Sequence, residues 1–319
     1  MDMTRRGRGP RRSKRPSADA APTPAARAGR VVTHHGRSAV VEGSQGELRL
    51  CTTRRNVGTV VCGDRVEWLP VGPQQGVIQA MLARSSLLAR SDTSGRSRAL
   101  AANVDQVLIV TAPEPPLSEA LIDRYLVAAE LLPARAVIVV NKIDLLNTAA
   151  REALAVRLDE YERIGYPVIF TTRYDPGTLE PLGHHLQDRI SILVGQSGVG
   201  KSSLVNALVP DRDVRVGALS EATGLGRHTT SATTLYHLAE GGDLIDSPGV
   251  RDFHLESVNT ADLNRSFREF GPYLGQCRFH NCRHDREPGC AVTAAADRGQ
   301  ISLRRLASYR QLLSSLHPQ

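Results

Sequence analysis

A glycine-rich loop constrains the fold of this chain more than any other feature. The residues from Gly195 to Ser202 read G-Q-S-G-V-G-K-S and match the pattern G-x-x-x-x-G-K-[ST]. An apolar run, residues 190–194, precedes the loop, and a segment with helical periodicity, residues 202–209, follows it. This succession of strand, tight loop and helix predicts a parallel α/β sheet with the loop at one edge.

The loop has the residue types that bind phosphate. Its glycines let backbone N–H groups curl around phosphate oxygens, and the N-terminus of the following helix adds a positive dipole. Lys201 is expected to neutralise the β- and γ-phosphates, and Ser202 is expected to ligate Mg²⁺. The candidate phosphate-binding residues are Gly195, Gln196, Ser197, Gly198, Val199, Gly200, Lys201, Ser202 and Ser203.

A second motif, Asn141-Lys142-Ile143-Asp144, follows the apolar residues 136–140. N-K-x-D is the guanine-reading element of GTPases, because a carboxylate such as Asp144 accepts hydrogen bonds from both N1–H and the 2-amino group of guanine. Adenine does not offer this pair of donors. Asn141 is expected to contact the purine edge, and Lys142 is expected to pack along the base. The motif therefore predicts binding of GTP and GDP.

The order of the two motifs is unusual, because ordinary GTPases have the phosphate loop first. A parallel sheet tolerates the exchange when the original termini were close and became joined. Residues 174–189 are predicted to be the loop that joins them. Residues 171–173, T-T-R, lie where GTPases have a second guanine-binding loop, and they match that loop poorly. The sequence predicts a circularly permuted GTPase.

Two further segments complete the candidate nucleotide site. Asp246-Ser-Pro-Gly249 has the D-x-x-G pattern, in which Asp246 is expected to hold Mg²⁺ through water and the N–H of Gly249 to meet the γ-phosphate. Residues 224–230 read G-L-G-R-H-T-T, and they predict a switch that closes on Mg²⁺ and the γ-phosphate. Thr229 and Thr230 supply the candidate hydroxyl groups.

Three of the five cysteines are clustered near the C-terminus. Cys277, Cys282, His284 and Cys290 have the spacing C-x₄-C-x-H-x₅-C. Three thiolates and one imidazole suit tetrahedral Zn²⁺, and a site whose four positions are all filled by protein is predicted to be structural. The other cysteines, Cys51 and Cys62, are expected to be ordinary apolar residues.

The N-terminal part of the chain differs from the rest. Residues 1–30 contain nine basic and two acidic residues, which accounts for the whole formal net charge of +7. They are expected to form a disordered basic tail, which either neutralises nucleic-acid phosphates or only solubilises the chain. Short strands after it predict an OB-fold β-barrel, with Trp68 either in the core or as a platform for a base. The strand candidates are residues 38–42, 47–51, 59–62, 65–69 and 76–81.

Composition excludes several classes of protein. The apolar fraction of 41% and the charged fraction of 23% are typical of a soluble globular protein. The apolar runs fall far short of the roughly 20 residues that a membrane helix needs, and no secretory signal is recognisable. Five cysteines in a chain this long do not make a disulfide framework, so we expect a cytoplasmic protein without a membrane partner, and a monomer by default.

Four regions are predicted along the chain. They are a basic tail (1–30), an OB-fold (31–97), a circularly permuted P-loop GTPase domain of α/β class (98–255) and a helical zinc-binding domain (256–319). Residues 85–98, at the boundary of the second and third regions, are polar and are expected to be a flexible linker or loop.

Taken in order, these motifs closely resemble those of the RsgA (YjeQ) family of small ribosomal subunit biogenesis GTPases. The resemblance covers about residues 31–319. The segments that carry it are residues 101–105 (A-A-N-V-D), 141–144, 195–203, 226–230, 246–249 and 277–290.

The resemblance implies an OB-fold, a permuted GTPase domain and a zinc domain. It also implies binding to the 30S subunit and its 16S rRNA late in maturation, near the decoding region. Hydrolysis of GTP to GDP and phosphate is expected to be stimulated by the subunit and to release the protein.

The resemblance also suggests a catalytic residue. Ras-like enzymes orient the attacking water with a Gln directly after D-x-x-G, where this chain has Val250. The family has a histidine in the switch, which His228 matches, so His228 is the candidate for that role. The three threonines that follow it in the family read Thr229-Thr230-Ser231 here, which leaves open which hydroxyl reaches Mg²⁺.

Three hypotheses remain at this point. The chain is an enzyme that cycles on the 30S subunit, an RNA-binding module whose affinity GTP merely sets, or a permuted GTPase of the large subunit. The barrel before the GTPase domain and the zinc domain after it argue against the third. Acceleration of hydrolysis by bound RNA distinguishes the first two.

Overall fold

Five strands form a closed barrel in the N-terminal part of the chain. The computed structural model describes residues 25–36, 38–91, 97–211, 233–247 and 258–316. β1 pairs with both β2 and β4, and β3 lies parallel to β5, which closes the ring. Trp68 is fully buried inside it. The predicted OB-fold barrel is confirmed, with Trp68 in its core. The strands are β1 (Arg27–His35), β2 (Ser38–Gly43), β3 (Leu48–Thr53), β4 (Arg65–Pro70) and β5 (Gln75–Met81).

The first strand begins inside the segment predicted to be a tail. Residues 27–30 pair with residues 65–68 of β4, and the guanidinium of Arg27 lies 5.8 Å from the ring centroid of Trp68. The prediction of disorder is therefore wrong for these four residues, because ladder hydrogen bonds and packing on Trp68 outweigh their polar composition. Residues 1–24 lie outside the described part of the chain, so the tail itself stays a prediction.

Two other local predictions in this region are wrong. Residues 59–62 are predicted as a strand, but the N–H of Val61 donates to the carboxylate of Asp64 at 2.7 Å, and Gly63 turns the chain with a φ of +88°. Only a single bridge, from Cys62 to Ala101, is formed there. The expected linker instead contains much of a hairpin of β6 (Leu87–Ser91) and β7 (Ser97–Ala102).

The second part of the chain is an α/β sheet in the order β10-β9-β8-β11-β13-β12. All neighbouring strands are parallel except β12, which is antiparallel to β13. Every residue of β8 is buried, as expected for a central strand of a parallel sheet. The strands are β8 (Gln106–Thr111), β9 (Arg135–Val140), β10 (Val168–Phe170), β11 (Ile190–Val194), β12 (Thr234–His237) and β13 (Asp243–Asp246).

Helices connect the parallel strands, which confirms the predicted parallel α/β sheet. The segment predicted to be a joining loop, residues 174–189, contains a 3₁₀ turn (Pro176–Thr178) and a short helix, so the prediction of an irregular loop is wrong. Leu182 and Leu186 of that helix are buried, and this packing orders the segment. The helices are α1 (Glu119–Leu131), α2 (Thr148–Ile164), α3 (Glu180–Leu186) and α4 (Lys201–Leu208).

The barrel and the α/β sheet are continuous. Thr33 of β1 lies opposite Thr234 of β12, so one eleven-stranded sheet runs through both. At this junction, His237 hydrogen-bonds through Nδ1 with Asp243 (2.5 Å) and through Nε2 with Glu42 of β2 (2.6 Å). These carboxylates raise the pKa of His237 to about 9, so it is a cation at neutral pH. The barrel is thus clamped to the strand that ends at Asp246.

The C-terminal part is helical, as predicted. It comprises α5 (Thr260–Ser266), a 3₁₀ helix (Arg268–Tyr273), α6 (Ala291–Asp297) and α7 (Leu303–Leu316). The rings of Phe267, Phe270 and Tyr309 pack with centroids 5.0–5.3 Å apart. Across the part of the chain that the structure describes, no helix combines the length and the apolar character needed to span a bilayer.

Candidate nucleotide site and metal centre

The phosphate loop leaves β11 at Val194 and enters α4 at Lys201. Gly195 has a φ of +142°, and a Cβ there would lie 2.1 Å from the carbonyl oxygen of Val110. Gly200 has a φ of +91°, and its Cβ would lie 2.4 Å from Nδ2 of Asn141. Both positions therefore require glycine. The loop is held tightly against β8 and against the base-reading motif.

Lys201 lies across the loop. Its Nζ donates to the carbonyl oxygens of Gly195 at 2.6 Å and Gln196 at 2.8 Å. The ammonium group is thus beside the N-terminus of α4, where an anion is favoured. The remaining predicted phosphate-binding residues are in the loop or in the first turn of α4: Ser197, Gly198, Val199, Ser202 and Ser203.

Asn141 connects the base-reading motif to the phosphate loop. Its Nδ2 donates to the carbonyl oxygen of Val199 at 3.0 Å, and the residue is only 4% exposed. The backbone of Lys142 is in the left-handed region, with a φ of +62°, and its Nζ donates to the carbonyl oxygen of Glu114 at 2.9 Å. Ile143 is buried and begins a short 3₁₀ helix. Two motifs far apart in sequence therefore meet at one edge of the sheet.

Asp144 is exposed at the mouth of a cavity of about 410 Å³. Its Oδ1 accepts a hydrogen bond from Oγ1 of Thr172 at 2.5 Å, so residues 171–173 do lie beside the base-reading motif. The hydroxyl of Thr172 fixes the orientation of the carboxylate. The cavity is lined by Glu114, Asn141, Lys142, Asp144, Leu145, Arg173, Tyr174, Gly200 and Ser203.

Sequence reasoning missed several residues of this cavity. Glu114 follows β8, while Tyr174 follows β10 just beyond residues 171–173, and no motif marks either of them. The available signal was their position just after strand ends, since these ends meet at one edge of a parallel sheet. The guanidinium of Arg173 lies 4.6 Å from the ring centroid of Tyr174, and a hydrogen bond to the Tyr174 hydroxyl raises the pKa of Arg173.

Asp246 is the last residue of β13, as predicted. Ile245 lies opposite Ile192 of the parallel strand β11, so Asp246 lies at the same edge of the sheet as the phosphate loop. Ser247 is buried, and its hydroxyl is 2.8 Å from that of Thr233. The other predicted residues of the switch and the D-x-x-G segment, namely His228, Thr229, Thr230 and Gly249, lie outside the described residues.

Four residues near the C-terminus form a compact group of metal-binding side chains, with all ligand atoms within 4.8 Å of one another. Nδ1 of the histidine is 3.5 and 3.4 Å from two of the sulfurs, which are 4.0 Å apart. A tetrahedral zinc site with Zn–S bonds of about 2.3 Å has edges of roughly 3.8 Å. This donor set therefore fits a tetrahedral metal. The residues are Cys277, Cys282, His284 and Cys290.

The backbone supports these thiolates. The N–H of Ala291 donates to Sγ of Cys277 at 3.3 Å, and the N–H of Thr293 donates to Sγ of Cys290 at 3.4 Å. Such N–H groups stabilise the negative charge of a ligating sulfur. The other two cysteines are buried in or beside the barrel, away from the cluster.

The phosphate loop, the base-reading motif that precedes it in the chain and the order of the strands define a circularly permuted GTPase domain. The profile of the RsgA GTPase family matches residues 81–256. The small ribosomal subunit biogenesis GTPase RsgA of Ectopseudomonas mendocina is 48% identical over 292 residues, which cover 90% of this chain and 85% of that protein. The RsgA of Vibrio cholerae is 45% identical over 298 residues, with 91% and 77% covered. The chain belongs to the RsgA GTPase family and is a GTP hydrolase.

Two solved structures agree with this assignment. YjeQ from Thermotoga maritima superposes with a TM-score of 0.77 at 32% identity, covering 92% of this chain and all of that one. YloQ, described as a circularly permuted GTPase, superposes with a TM-score of 0.73 at 25% identity, covering 94% and 98%.

Proposed function

We propose that this GTPase binds the 30S ribosomal subunit through 16S rRNA and acts in the late assembly of that subunit. In this proposal the subunit stimulates hydrolysis of GTP to GDP and phosphate, and the protein leaves after hydrolysis. One observation supports the binding of a guanine nucleotide in this proposal. The side chain of Asn141 holds the base-reading motif against the phosphate loop, so Asp144 and Lys201 serve one bound nucleotide. The names of the relatives support the ribosomal part.

Residue roles follow from the chemistry at each end of the nucleotide. Asp144 accepts from guanine N1–H and the 2-amino group, Asn141 contacts the purine edge, and Lys142 packs along the base. At the other end, the backbone N–H groups of the loop bind the phosphates, and Lys201 neutralises the β- and γ-phosphates. These roles make the site selective for guanine and for a polyphosphate.

The residues that face the γ-phosphate complete the site. Ser202, Asp246 and a switch hydroxyl, from Thr229 or Thr230, would hold Mg²⁺, while the N–H of Gly249 meets the γ-phosphate. Mg²⁺, when bound with GTP, supplies positive charge that offsets the charge on the phosphate oxygens. We assign His228 the orientation of the attacking water, because Val250 cannot do so.

We further propose that the Cys277, Cys282, His284 and Cys290 cluster holds one structural Zn²⁺. Its donors are three thiolates and one imidazole, the set that zinc prefers, and none of the four positions is left for a substrate. Zinc would hold the turn between the 3₁₀ helix and α6. In this division the GTPase domain spans residues 98–255 and the zinc domain residues 256–319.

The remaining parts of the proposal concern the partner. A basic N-terminal tail is suited to neutralise rRNA phosphates, so its contribution to the affinity for the subunit should fall as the salt concentration rises. Work on the 30S subunit requires a cytoplasmic protein, and we propose that it acts as a monomer.

Sedimentation with purified subunits tests the proposal. The protein is incubated with 30S or 50S subunits in the presence of a non-hydrolysable GTP analogue or GDP, and the pelleted fraction is measured. We expect co-sedimentation with 30S and the analogue, and loss of binding with GDP. Equal binding to both subunits, or binding that ignores the nucleotide, would overturn the proposed cycle.

A further inference from the structure

A cation–aromatic pair stands at the mouth of the nucleotide cavity. Arg173 and Tyr174 both line this cavity, and their side chains stack on each other with the guanidinium 4.6 Å from the ring centroid. Tyr174 is 66% exposed, which is unusual for a large aromatic side chain. Its ring therefore has apolar surface that a ligand in the cavity can cover.

The pair is tied to the residue that reads the base. The backbone N–H of Tyr174 donates to Oγ1 of Thr172 at 3.3 Å, and the same hydroxyl donates to Oδ1 of Asp144 at 2.5 Å. The hydroxyl of Thr172 thus positions both the carboxylate of Asp144 and the backbone of Tyr174. The backbone of Tyr174 is therefore anchored beside the base-reading carboxylate, in a cavity that Gly200 of the phosphate loop also lines.

We propose that Tyr174, backed by Arg173, stacks on the base of the bound nucleotide and supplies affinity that does not depend on the identity of the purine edge. Every purine offers a π-face, so stacking on an aromatic side chain favours binding of any purine base. The guanidinium restrains the ring by cation–π attraction, so little side-chain freedom is lost on binding. The inference rests on the proposed guanine-binding function. In it, Asp144 makes the site selective for guanine, and Tyr174 adds affinity by stacking on the base.

Calorimetric titration of the full chain with GDP and IDP separates these two contributions. The base of IDP lacks the 2-amino group of guanine but keeps the same ring system. We expect Tyr174→Ala to weaken both ligands by the same factor, about tenfold, which corresponds to ~1.4 kcal/mol. Tyr174→Phe keeps the ring and should bind within about twofold of wild type. Phe279→Ala removes another exposed aromatic ring, beside the metal cluster, and serves as the matched control.

Asp144→Ala is measured alongside these variants. It should abolish the preference for GDP over IDP, whereas Tyr174→Ala should leave that preference unchanged. If Asp144→Ala loses the preference but Tyr174→Ala binds GDP like wild type, the stacking inference is wrong and the base-reading role stands. If Tyr174→Ala alters the preference, the ring acts only by positioning the Thr172–Asp144 contact, and the stacking inference is again wrong. If wild type shows no preference for GDP, the proposed function fails, and the inference fails with it.

Discussion

Arg305 of α7 donates from Nη1 to Oδ1 of Asp123 on α1 at 2.7 Å, and neither residue is exposed to solvent. This contact joins the C-terminal helices to the GTPase sheet. Arg305 also binds Glu269, and Arg304 donates to the second oxygen of Asp123 at 2.8 Å. Burial alone would raise the pKa of Asp123, but the two guanidinium groups hold it below its ordinary value. The D-x-x-G segment precedes a domain that is fixed to the GTPase core by buried charge.

Removal of this carboxylate is expected to be costly. Asp123→Asn removes the fully buried carboxylate that two guanidinium groups share and leaves them only Glu160 and Glu269, which should lower the free energy of unfolding by about 3–5 kcal/mol. Chemical denaturation followed by circular dichroism measures the loss. Asp159→Asn is the matched control, because Asp159 pairs with Arg163 on the exposed face of α2 and should cost less than about 0.5 kcal/mol. Equal losses in the two variants would show that the buried pair does not stabilise the fold.

The ion pairs of His237 at the junction of barrel and sheet should make the stability of the fold depend on pH. The folded pKa of His237, about 9, lies above its ordinary value because of Asp243 and Glu42. Its stabilising contribution is therefore complete below about pH 6.5 and is lost as the pH rises through about 9. We expect His237→Gln to remove this part of the alkaline loss of stability, measured as denaturation midpoints from about pH 6 to pH 10. His184→Gln, at an exposed histidine, should keep the wild-type profile. A His237→Gln profile that matches wild type would contradict the clamp.

The metal cluster predicts a stoichiometry. Purified protein should contain one zinc ion per chain, measured by mass spectrometry of the metal, and Cys282→Ser or Cys290→Ser should lose it. Cys51→Ala is the control, since Cys51 is buried in the barrel and takes no part in the cluster. Full zinc content in the ligand variants, or loss of zinc from Cys51→Ala, would mean that the ligands are assigned wrongly.

The phosphate loop should not tolerate a side chain at its last glycine. Gly200→Ala places a Cβ against Nδ2 of Asn141 in a left-handed backbone, which costs about 1–3 kcal/mol and separates the two motifs. We expect GDP affinity to fall at least about tenfold in calorimetric titration. Gly271→Ala is the control, because a Cβ there meets nothing within 4 Å. Wild-type affinity for GDP in Gly200→Ala would show that the contact with Asn141 is dispensable.

The proposed role of His228 concerns turnover and not binding. His228→Ala should bind GTP with unchanged affinity, while turnover in the presence of 30S subunits falls by about a hundredfold. His184→Ala, at an exposed histidine, is the control for loss of an imidazole. Unchanged stimulated turnover in His228→Ala would exclude this residue as the one that orients water.

Elements with strong local signals could be predicted from the sequence. The bounds of α2, residues 148–164, follow from local signals, because Asn147 caps its first turn and Gly165 ends it with a φ of +95°. β11 and the loop after it follow from one motif. β1 was missed as a whole, because its first four residues were assigned to the tail and its strand structure depends on pairing with β2 and β4. Local composition carries no signal of a partner that is distant in sequence.

In the candidate site, too, some residues could be predicted from the sequence and others could not. The motif residues Asn141, Asp144 and Lys201 could be identified from spacing, and the sheet brings them together. Residues 171–173 were placed near the base by their position although they match the expected loop poorly, whereas Tyr174 could not be identified, because its contact arises where the end of β10 meets the base-reading motif. Buried charge between domains was also invisible in the sequence. Arg305 and Asp123 are ordinary charged residues until the packing of α7 on α1 removes both from water.

GTP turnover with purified subunits tests the central claim most directly. Hydrolysis of GTP and of ATP is measured in Mg²⁺ buffer with the protein alone, with 30S subunits and with 50S subunits. We expect strong acceleration of GTP turnover by 30S alone and no turnover of ATP. Slow GTP turnover that neither subunit changes would contradict the account and leave a GTP-binding protein whose partner is not the small subunit.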